Sequence, residues 1–332
     1  MPKDMTNNGA VIPDQGAVTQ LPKAGRLRKK FNSYGLEPEV KIIIDKDTYE
    51  RIIEAMTRDP VLSAFFPVKA RDERTNVYHD TAKKFHLFAR GAEMRGRLEK
   101  PARPAATGKP AKLARYKYDL KTPHDLANPK IGPNDHDLVI RGERSHKRTD
   151  VAPVATWFTD AALVAAEYQD DEGICPNAIA SEVEELVEYL GPDLTDKKFV
   201  PWVQGTFKRH IFEMSHKGHA IEVAVEKGRF QDLEGTRESD EFYVIELESK
   251  GGDEVDLDGL IKAISHVKQR FKAALGVDLE TSGKTKGEMA FEWLYSEGLI
   301  PEEVRANFET AMESRKALYT DRRKAQETKL AI

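Results

Sequence analysis

Short segments in which charged and aliphatic residues alternate recur along the chain, and this period of two predicts β-strands. The first reads Glu37-Pro38-Glu39-Val40-Lys41 and runs on into three isoleucines, so one face would be charged and the other apolar. The same acid-x-acid-x-base spelling returns at residues 246–250. Further strands are predicted at 76–81, 87–99 (after a turn), 116–121, 138–145, 200–214, 220–225 and 242–250, with a turn at Lys227-Gly228.

Apolar residues spaced three and four apart predict helices between and after these strands. A helix is expected over 48–56 with Asp47 as its cap, and the stripe from Leu257 to Leu275 predicts a longer one. Two helices are expected within 156–190, and two more at 288–296 and 302–322. Residues 1–33 show no periodicity, which indicates a disordered tail. The expected domain limits are 1–33, 34–287 with a helical insertion at about 156–190, and a C-terminal helical extension at 288–332.

The composition is that of a folded protein, because 332 residues with 39% hydrophobic content bury an ample core. A net charge of −4 argues against nucleic-acid binding through a positive field over the whole protein. The single cysteine, Cys175, excludes an internal disulfide and a cysteine-rich metal site. The sequence has neither an apolar run of membrane-spanning length nor an N-terminal signal-peptide pattern. We therefore expect a cytoplasmic protein without a specific nucleic-acid or membrane partner.

The charged strand faces carry both signs, and two architectures would accommodate them. A half-buried antiparallel sheet would expose its charged face to water and pack its aliphatic face on helices. Alternatively, about eight strands would close into a barrel around a lumen that holds one small ligand. Clustered Lys and Arg attract an anion, while paired Glu-x-Glu carboxylates attract a hard divalent cation. A metal-bound polyphosphate satisfies both groups at once, which favours the barrel and phosphoryl-transfer chemistry.

Six segments, taken in chain order, resemble motifs of the CYTH domain, the triphosphate tunnel metalloenzyme family. They fall within residues 35–287 and read Glu37-x-Glu39-x-Lys41, Tyr78-His79-Asp80-Thr81, Met94-Arg95-Gly96-Arg97, Asp119-Leu120-Lys121-Thr122, Ile221–Gly228 and Ile245–Gly251. Each motif is short, but six in order are specific. The resemblance implies an α+β fold built on an eight-stranded antiparallel closed β-barrel, a triphosphate tunnel with a charged interior and helices packed outside.

The resemblance also implies roles for individual side chains. Phosphate oxygens would be bound by the basic residues Lys41, Arg95, Arg97, Lys121, Arg141, Lys208, Arg209, Lys250 and Lys284. A Mg²⁺ or Mn²⁺ ion would be held by the carboxylates Glu37, Glu39, Glu246 and Glu248. Catalysis would rest on a lysine and on acids beside a second metal that activates water, namely Lys121, Glu143 and Glu222.

Three places depart from the family pattern. Ser145 stands where the middle strand usually carries a second acid. Lys208 and Arg209 compete for one basic position on their strand. In the late motif the lysine is displaced by one residue, so Lys284 and Lys286 are both candidates for a phosphate contact.

The sequence therefore predicts a triphosphatase, a phosphoric anhydride hydrolase that converts inorganic triphosphate to pyrophosphate and phosphate. Thiamine- or nucleoside-triphosphatase and class IV adenylate cyclase activities share the tunnel chemistry and are alternatives. A non-catalytic module that binds polyphosphate or a nucleotide is an alternative of another class, and Ser145 favours it. The C-terminal helices leave a homodimer open.

Overall fold

The computed structural model describes residues 36–101, 115–123, 139–148, 199–216, 218–249, 257–277, 279, 282 and 284–330. Within these residues the strands are β1 (Leu36–Ile44), β2 (Val68–Thr81), β3 (Glu93–Pro101), β4 (Arg115–Pro123), β5 (Val139–Arg148), β6 (Phe199–His216), β7 (His219–Gln231) and β8 (Phe242–Ser249). The helices of the same ranges are α1 (Lys46–Arg58), α2 (Pro60–Phe65), α3 (His86–Ala89), α4 (Leu257–Leu275), α5 (Lys286–Ser296) and α6 (Glu302–Leu330).

The described strands pair in antiparallel fashion, and the helices lie between and after them. Hydrogen-bonded neighbours follow the order β1-β5-β4-β3-β2-β6-β7-β8, and β8 also pairs with β1. The first strand pairs with β5 near its start, where Glu37 lies opposite Arg141, and with β8 from Glu39 onward. An antiparallel sheet with helices confirms the predicted α+β class.

Helix α1 begins at a different cap from the one that the sequence predicted. The carboxylate of Asp45 accepts a hydrogen bond from the Thr48 amide at 2.7 Å, which makes Asp45 the N-cap. The expected cap, Asp47, lies inside the first turn, where its negative charge interacts favourably with the helix dipole and stabilises the helix. Both aspartates precede the apolar stripe, so the pattern alone did not separate them.

Strand β7 continues through Lys227 and Gly228, where the sequence predicted a turn. Gly228 is there for close packing, because the Phe207 ring of β6 lies over it. A Cβ at position 228 would lie 2.6 Å from Phe207 Cδ1 and 2.9 Å from the Thr206 carbonyl oxygen. A Cβ at Gly205 would likewise meet Phe207 Cζ at 2.9 Å. The two glycines therefore make room for one buried aromatic ring.

Two apolar clusters hold the helices against the strands. The aliphatic faces of β1, β7 and β8 pack against α1 and α4, with Ile42, Ile245 and Phe271 fully buried. The second cluster joins Phe207 to α3, α5 and α6, where Phe308 is fully buried. None of the described helices combines the length and the apolar character needed to cross a membrane.

The expected domain limits stay predictions. The tail at 1–33 and the helical insertion at 156–190 fall outside the described residues. Helix α5 begins at Lys286, two residues before the predicted extension, and α6 runs to Leu330, past the predicted end at residue 322.

A buried polar junction ties β2 to the helices of the second cluster. Asp80 accepts hydrogen bonds from the amides of Leu87 at 3.0 Å and Phe88 at 2.8 Å, at the start of α3. Arg315 of α6 donates to the Phe88 carbonyl at 3.0 Å and to Glu288 of α5 at 2.9 Å. Burial raises the pKa of Asp80 to about 6, although these amide donors oppose the change. The junction thus fixes α5 and α6 relative to β2.

We expect Gly228→Ala to lower the free energy of unfolding by about 1–3 kcal/mol, because the added methyl group enters space that Phe207 fills. Urea denaturation measures the change. Thr206→Ala is the control on the facing strand, since Thr206 is exposed and should shift stability by less than about 0.5 kcal/mol. Equal midpoints for the wild type and the Gly228 variant would contradict this packing.

His79 should make stability depend on pH. Burial lowers its pKa to about 4 from 6.5, against the opposing hydrogen bond to the Val77 carbonyl. Between pH 6.5 and 4 the unfolded chain therefore binds a proton that the folded state does not. The free energy of unfolding decreases as the pH is lowered through this range, by up to about 3 kcal/mol. Urea denaturation at pH 7.5, 5.5 and 4.5 should show a shallower loss for His79→Gln. An equal loss of stability between pH 7.5 and 4.5 in the wild type and in His79→Gln would refute this role.

Candidate active site

Strand alternation gathers buried charges of both signs on one side of the sheet, called here the charged face. The most deeply buried basic residues on its described strands are Lys41 of β1, Arg95 and Arg97 of β3, Lys121 of β4 and Arg209 of β6, each 3–7% exposed. A buried charge is costly unless an opposite charge compensates it. The compensating acids of the same face include Glu39, Glu93, Asp119, Glu222, Glu226, Glu246 and Glu248.

A row of carboxylates crosses three strands of the charged face. Glu39 of β1 is the register partner of Glu248 of β8, which is in turn the partner of Glu222 of β7. Register partners have Cβ atoms about 4.5–5.5 Å apart, so these acids repel one another unless a cation lies near. Lys41 supplies one, with its Nζ 2.6 Å from Glu39 Oε1 and 3.4 Å from Glu246 Oε1.

Arg209, and not Lys208, belongs to the charged face of β6. Its Nε donates to Glu226, and its Nη2 lies 3.8 Å from Glu246 Oε2. Burial would lower the pKa of Arg209, but Glu226 and Glu246 outweigh it and raise that pKa above the ordinary value. Lys208 is exposed on the opposite face, because adjacent residues of a strand alternate. Of the two basic residues, Arg209 is therefore the one that lies on the charged face.

Helix α5 brings a further cation to the charged face from outside the sheet. The ammonium group of Lys286 pairs with Glu226 and lies 3.1 Å from Glu246 Oε1. Burial lowers the pKa of Lys286, while Glu226 and Glu246 oppose that shift. Burial likewise would raise the pKa of Glu246, but Lys286, Lys41 and Arg209 hold it well below its usual range.

The first residues of α5 explain how Lys286 reaches this position. The hydroxyl of Thr285 accepts a hydrogen bond from the Glu288 amide at 2.9 Å and caps the helix. The Gly287 amide donates to Glu93 Oε2 at 3.1 Å, and a Cβ at position 287 would lie only 2.7 Å from that oxygen. A capped helix start and a small residue therefore let α5 approach the charged face closely.

Lys284 lies outside the site, contrary to the sequence prediction. Its side chain is about half exposed, and its ammonium group lies 2.8 Å from Glu292 Oε2. The late motif thus contributes Lys286, which the sequence considered as the second candidate. Lys284 lies at the surface before α5 begins, whereas Lys286, two residues later, is the first residue of that helix.

Four predicted residues can be placed by backbone alone or not at all. The side chains of Glu37, Arg141 and Glu143 lie outside what the structure describes, although strand pairing sets Glu37 opposite Arg141 and Glu143 opposite Lys121. Lys250 is itself outside the described residues.

The sequence assigned no role to three acids of the charged face, and Glu93, which lies 3.5 Å from Arg95, is the first of them. Glu226 is 1% exposed and compensates Arg209 and Lys286, and Asp119 is fully buried between the two arginines of β3. Each shares an alternating face with a residue that was predicted, Glu93 with Arg95, Glu226 with Glu222 and Asp119 with Lys121. The period of two therefore indicates their face, but it does not indicate which bases they pair with.

The donor chemistry of the charged face suits a hard divalent ion, because carboxylate oxygens are the ligands that Mg²⁺ and Mn²⁺ prefer. In the described part of the chain, however, no three His, Cys, Asp or Glu side chains are arranged to hold a metal. The oxygens of Glu39 and Glu246 contact lysines instead. The residue types fit a metal, and their present arrangement is that of ion pairs.

Glu226→Gln should lower the free energy of unfolding by about 3–5 kcal/mol, because it removes the fully buried acid that contacts both Arg209 and Lys286 most closely. Urea denaturation at pH 7.5 measures this. The matched control is Glu238→Gln, which removes an exposed pair with Arg229 and should cost less than about 1 kcal/mol. Similar losses for both variants would contradict the central place of Glu226.

No model of a known family and no curated protein matches this sequence. A solved protein of Bacillus halodurans, described as a candidate adenylate cyclase, is 15% identical with a TM-score of 0.40, over 77% of this chain and 97% of that one. HpAC1 from Hippeastrum, described as having a dominant triphosphatase activity, is 13% identical with a TM-score of 0.40, over 80% and 98%. The mimivirus capping-enzyme triphosphatase is 9% identical with a TM-score of 0.36, over 73% and 93%. These similar structures are thus described as adenylate cyclases and triphosphatases, at identities and TM-scores too low to assign an activity to this chain.

Proposed function

We propose that this protein is a metal-dependent hydrolase of linear triphosphates, which converts inorganic triphosphate to pyrophosphate and phosphate. The observation that carries this proposal is the convergence of buried basic side chains from β1, β3, β4, β6 and α5 beside a row of carboxylates. A linear triphosphate presents charged oxygens along its length, which suits several separate cations. The six motifs that resemble the triphosphate tunnel family support the same substrate class.

We further propose that the eight strands enclose this substrate in a closed tunnel. The pairing of β1 with both β5 and β8 supports closure. Buried ion pairs add little net stability compared with apolar packing, so a face rich in them is better explained by binding than by folding. The aliphatic faces, which pack on α1 and α4, already supply the core.

A divalent cation would accompany the substrate in this proposal. Acids and bases occur in comparable numbers on the described charged face, so a bare polyanion would meet repulsion from the carboxylates. A bound Mg²⁺ or Mn²⁺ ion would neutralise phosphate charge and lower the pKa of a water molecule, and the acids that would hold it are Glu37, Glu39, Glu246 and Glu248. Lys41 and Lys286 would then pair with phosphate oxygens in place of these carboxylates.

The remaining side chains take roles that follow from their positions. Arg95, Arg97, Lys121 and Arg209 would bind phosphate oxygens and stabilise the charge that develops during transfer. Arg209 Nη1 is buried without a hydrogen-bond partner among the described residues, and a phosphate oxygen would satisfy this donor. Glu222, beside Glu248 in the acid row, would accept the proton of the attacking water, a role it would share with Glu143.

The second candidate is a module that binds polyphosphate or a nucleotide without turnover. Ser145 favours it, because an uncharged residue there removes one potential metal ligand. Within enzymes, thiamine triphosphate or ATP as the substrate, and cyclic AMP formation from ATP, use the same groups. Product identity separates these alternatives.

We expect the purified protein to release phosphate and pyrophosphate from inorganic triphosphate when Mg²⁺ or Mn²⁺ is present. Lys41→Ala should lower kcat/KM by about 100-fold, the usual cost of losing one group that stabilises transferring charge. Phosphate and pyrophosphate release, with ATP and thiamine triphosphate run in parallel, measures the activity.

Lys208→Ala is the matched control, since it removes an exposed lysine from the opposite face and should leave kcat/KM within about twofold. Binding of triphosphate by calorimetry without release would favour the module, and cyclic AMP from ATP would favour the cyclase. Absence of both binding and release with all three compounds would overturn the proposal.

A further inference from the structure

Asp119 is a buried acid of the charged face to which the triphosphatase proposal assigns no role. It lies on β4 two residues before Lys121 and is fully buried. Its register partners are Arg95 on β3 and Ser145 on β5. Of these three register partners, Arg95 is basic and Ser145 carries no charge, so Asp119 is the acid of the row.

One oxygen of Asp119 joins the two arginines of β3. Arg95 Nε donates to Asp119 Oδ2 at 2.9 Å, and Arg97 Nη2 lies 3.2 Å from the same atom. Each guanidinium group has a second contact on another side, because Arg95 Nη1 lies 3.5 Å from Glu93 Oε1 and Arg97 Nε donates to Asn76 Oδ1 at 3.1 Å. Both guanidinium groups are therefore held from two directions, with Asp119 as the shared partner.

This shared contact solves an electrostatic problem. Arg95 and Arg97 lie two residues apart on the same face of one strand, and both are less than one-tenth exposed. Two buried guanidinium groups so close together repel one another and would separate unless a counter-charge lies between them. Asp119 supplies that charge and also fixes the direction in which each group points.

We propose that Asp119 is a positioning residue that orients Arg95 and Arg97 toward a phosphate chain. The role in catalysis rests on the proposed function, whereas the positioning itself does not. Asp119 acts through the two arginines and offers no oxygen to the substrate.

The test is Asp119→Asn, which preserves shape and removes the charge. With inorganic triphosphate as the substrate, kcat should fall at least about tenfold while KM changes less than about threefold, because alignment in the transition state is lost but attraction for the anion is not. Asp240→Asn makes the same chemical change at an exposed position and should keep wild-type kinetics. An Asp119→Asn enzyme with wild-type kcat and KM would overturn the catalytic role.

A double variant separates positioning from a general loss of stability. Asp119→Asn should slow the Arg97→Gln enzyme by a smaller factor than it slows the wild type, because Arg95 is then the one arginine left for Asp119 to position. If the two substitutions lowered kcat by independent factors that multiply in the double variant, the inference would be contradicted. The double variant also balances the buried charge, so it carries the test if Asp119→Asn alone does not fold.

A readout without catalysis keeps this inference distinct from the proposed function. In the ¹⁵N NMR spectrum of the ligand-free protein, the Nε–H signal of Arg95 and the Nη–H signals of Arg97 should shift and exchange faster with water in Asp119→Asn, and stay unchanged in Asp240→Asn. Unchanged arginine signals in Asp119→Asn would refute the positioning role. Shifted signals in a protein that hydrolyses none of the triphosphates would support positioning while the proposed function fails.

Discussion

Each buried charge described on the charged face depends on an opposite charge within a few ångströms, and this requirement organises the face. Glu226 compensates Arg209 from its own sheet and Lys286 from a helix, while Asp119 compensates two arginines of a single strand. Because one acid serves two bases in both cases, the basic groups are held in fixed relation to one another. Loss of a shared acid would therefore disturb more than one contact.

The packing of the apolar clusters decides which charges meet. Helix α5 is held by the aromatic cluster around Phe207 and Phe308 and by the junction at Arg315, and this placement carries Lys286 to Glu226 and Glu246. Apolar burial is not directional, whereas ion pairs demand short distances. The hydrophobic contacts thus supply the stability, and the ion pairs determine the arrangement of groups available to a ligand.

Acidic and basic side chains nearly balance in number on the described charged face, so a polyanion would have to replace carboxylates as partners of the basic groups. Lysines that now contact Glu39 and Glu246 have flexible stems, so they can exchange a carboxylate for a phosphate oxygen at little cost. The arginines, by contrast, are held by Asp119, Asn76 and Glu226. A division between mobile lysines and fixed arginines combines adaptable binding with preorganised charge.

The period-two alternation by itself indicated most of the strands, the face of most of their charged residues, and most of the residues that converge, because side-chain direction in a strand is a local property. It did not determine which acid pairs with which base, since partners such as Glu226 and Lys286 are 60 residues apart in sequence.

Nor did it settle Lys284 against Lys286, because the start of α5 is fixed by contacts with β3 rather than by the helix sequence alone. The continuation of β7 through Gly228 likewise depended on the ring of Phe207 from the neighbouring strand. Local sequence thus specified the elements and their charged faces, whereas tertiary packing decided the pairing of charges, because that pairing joins residues far apart in the chain.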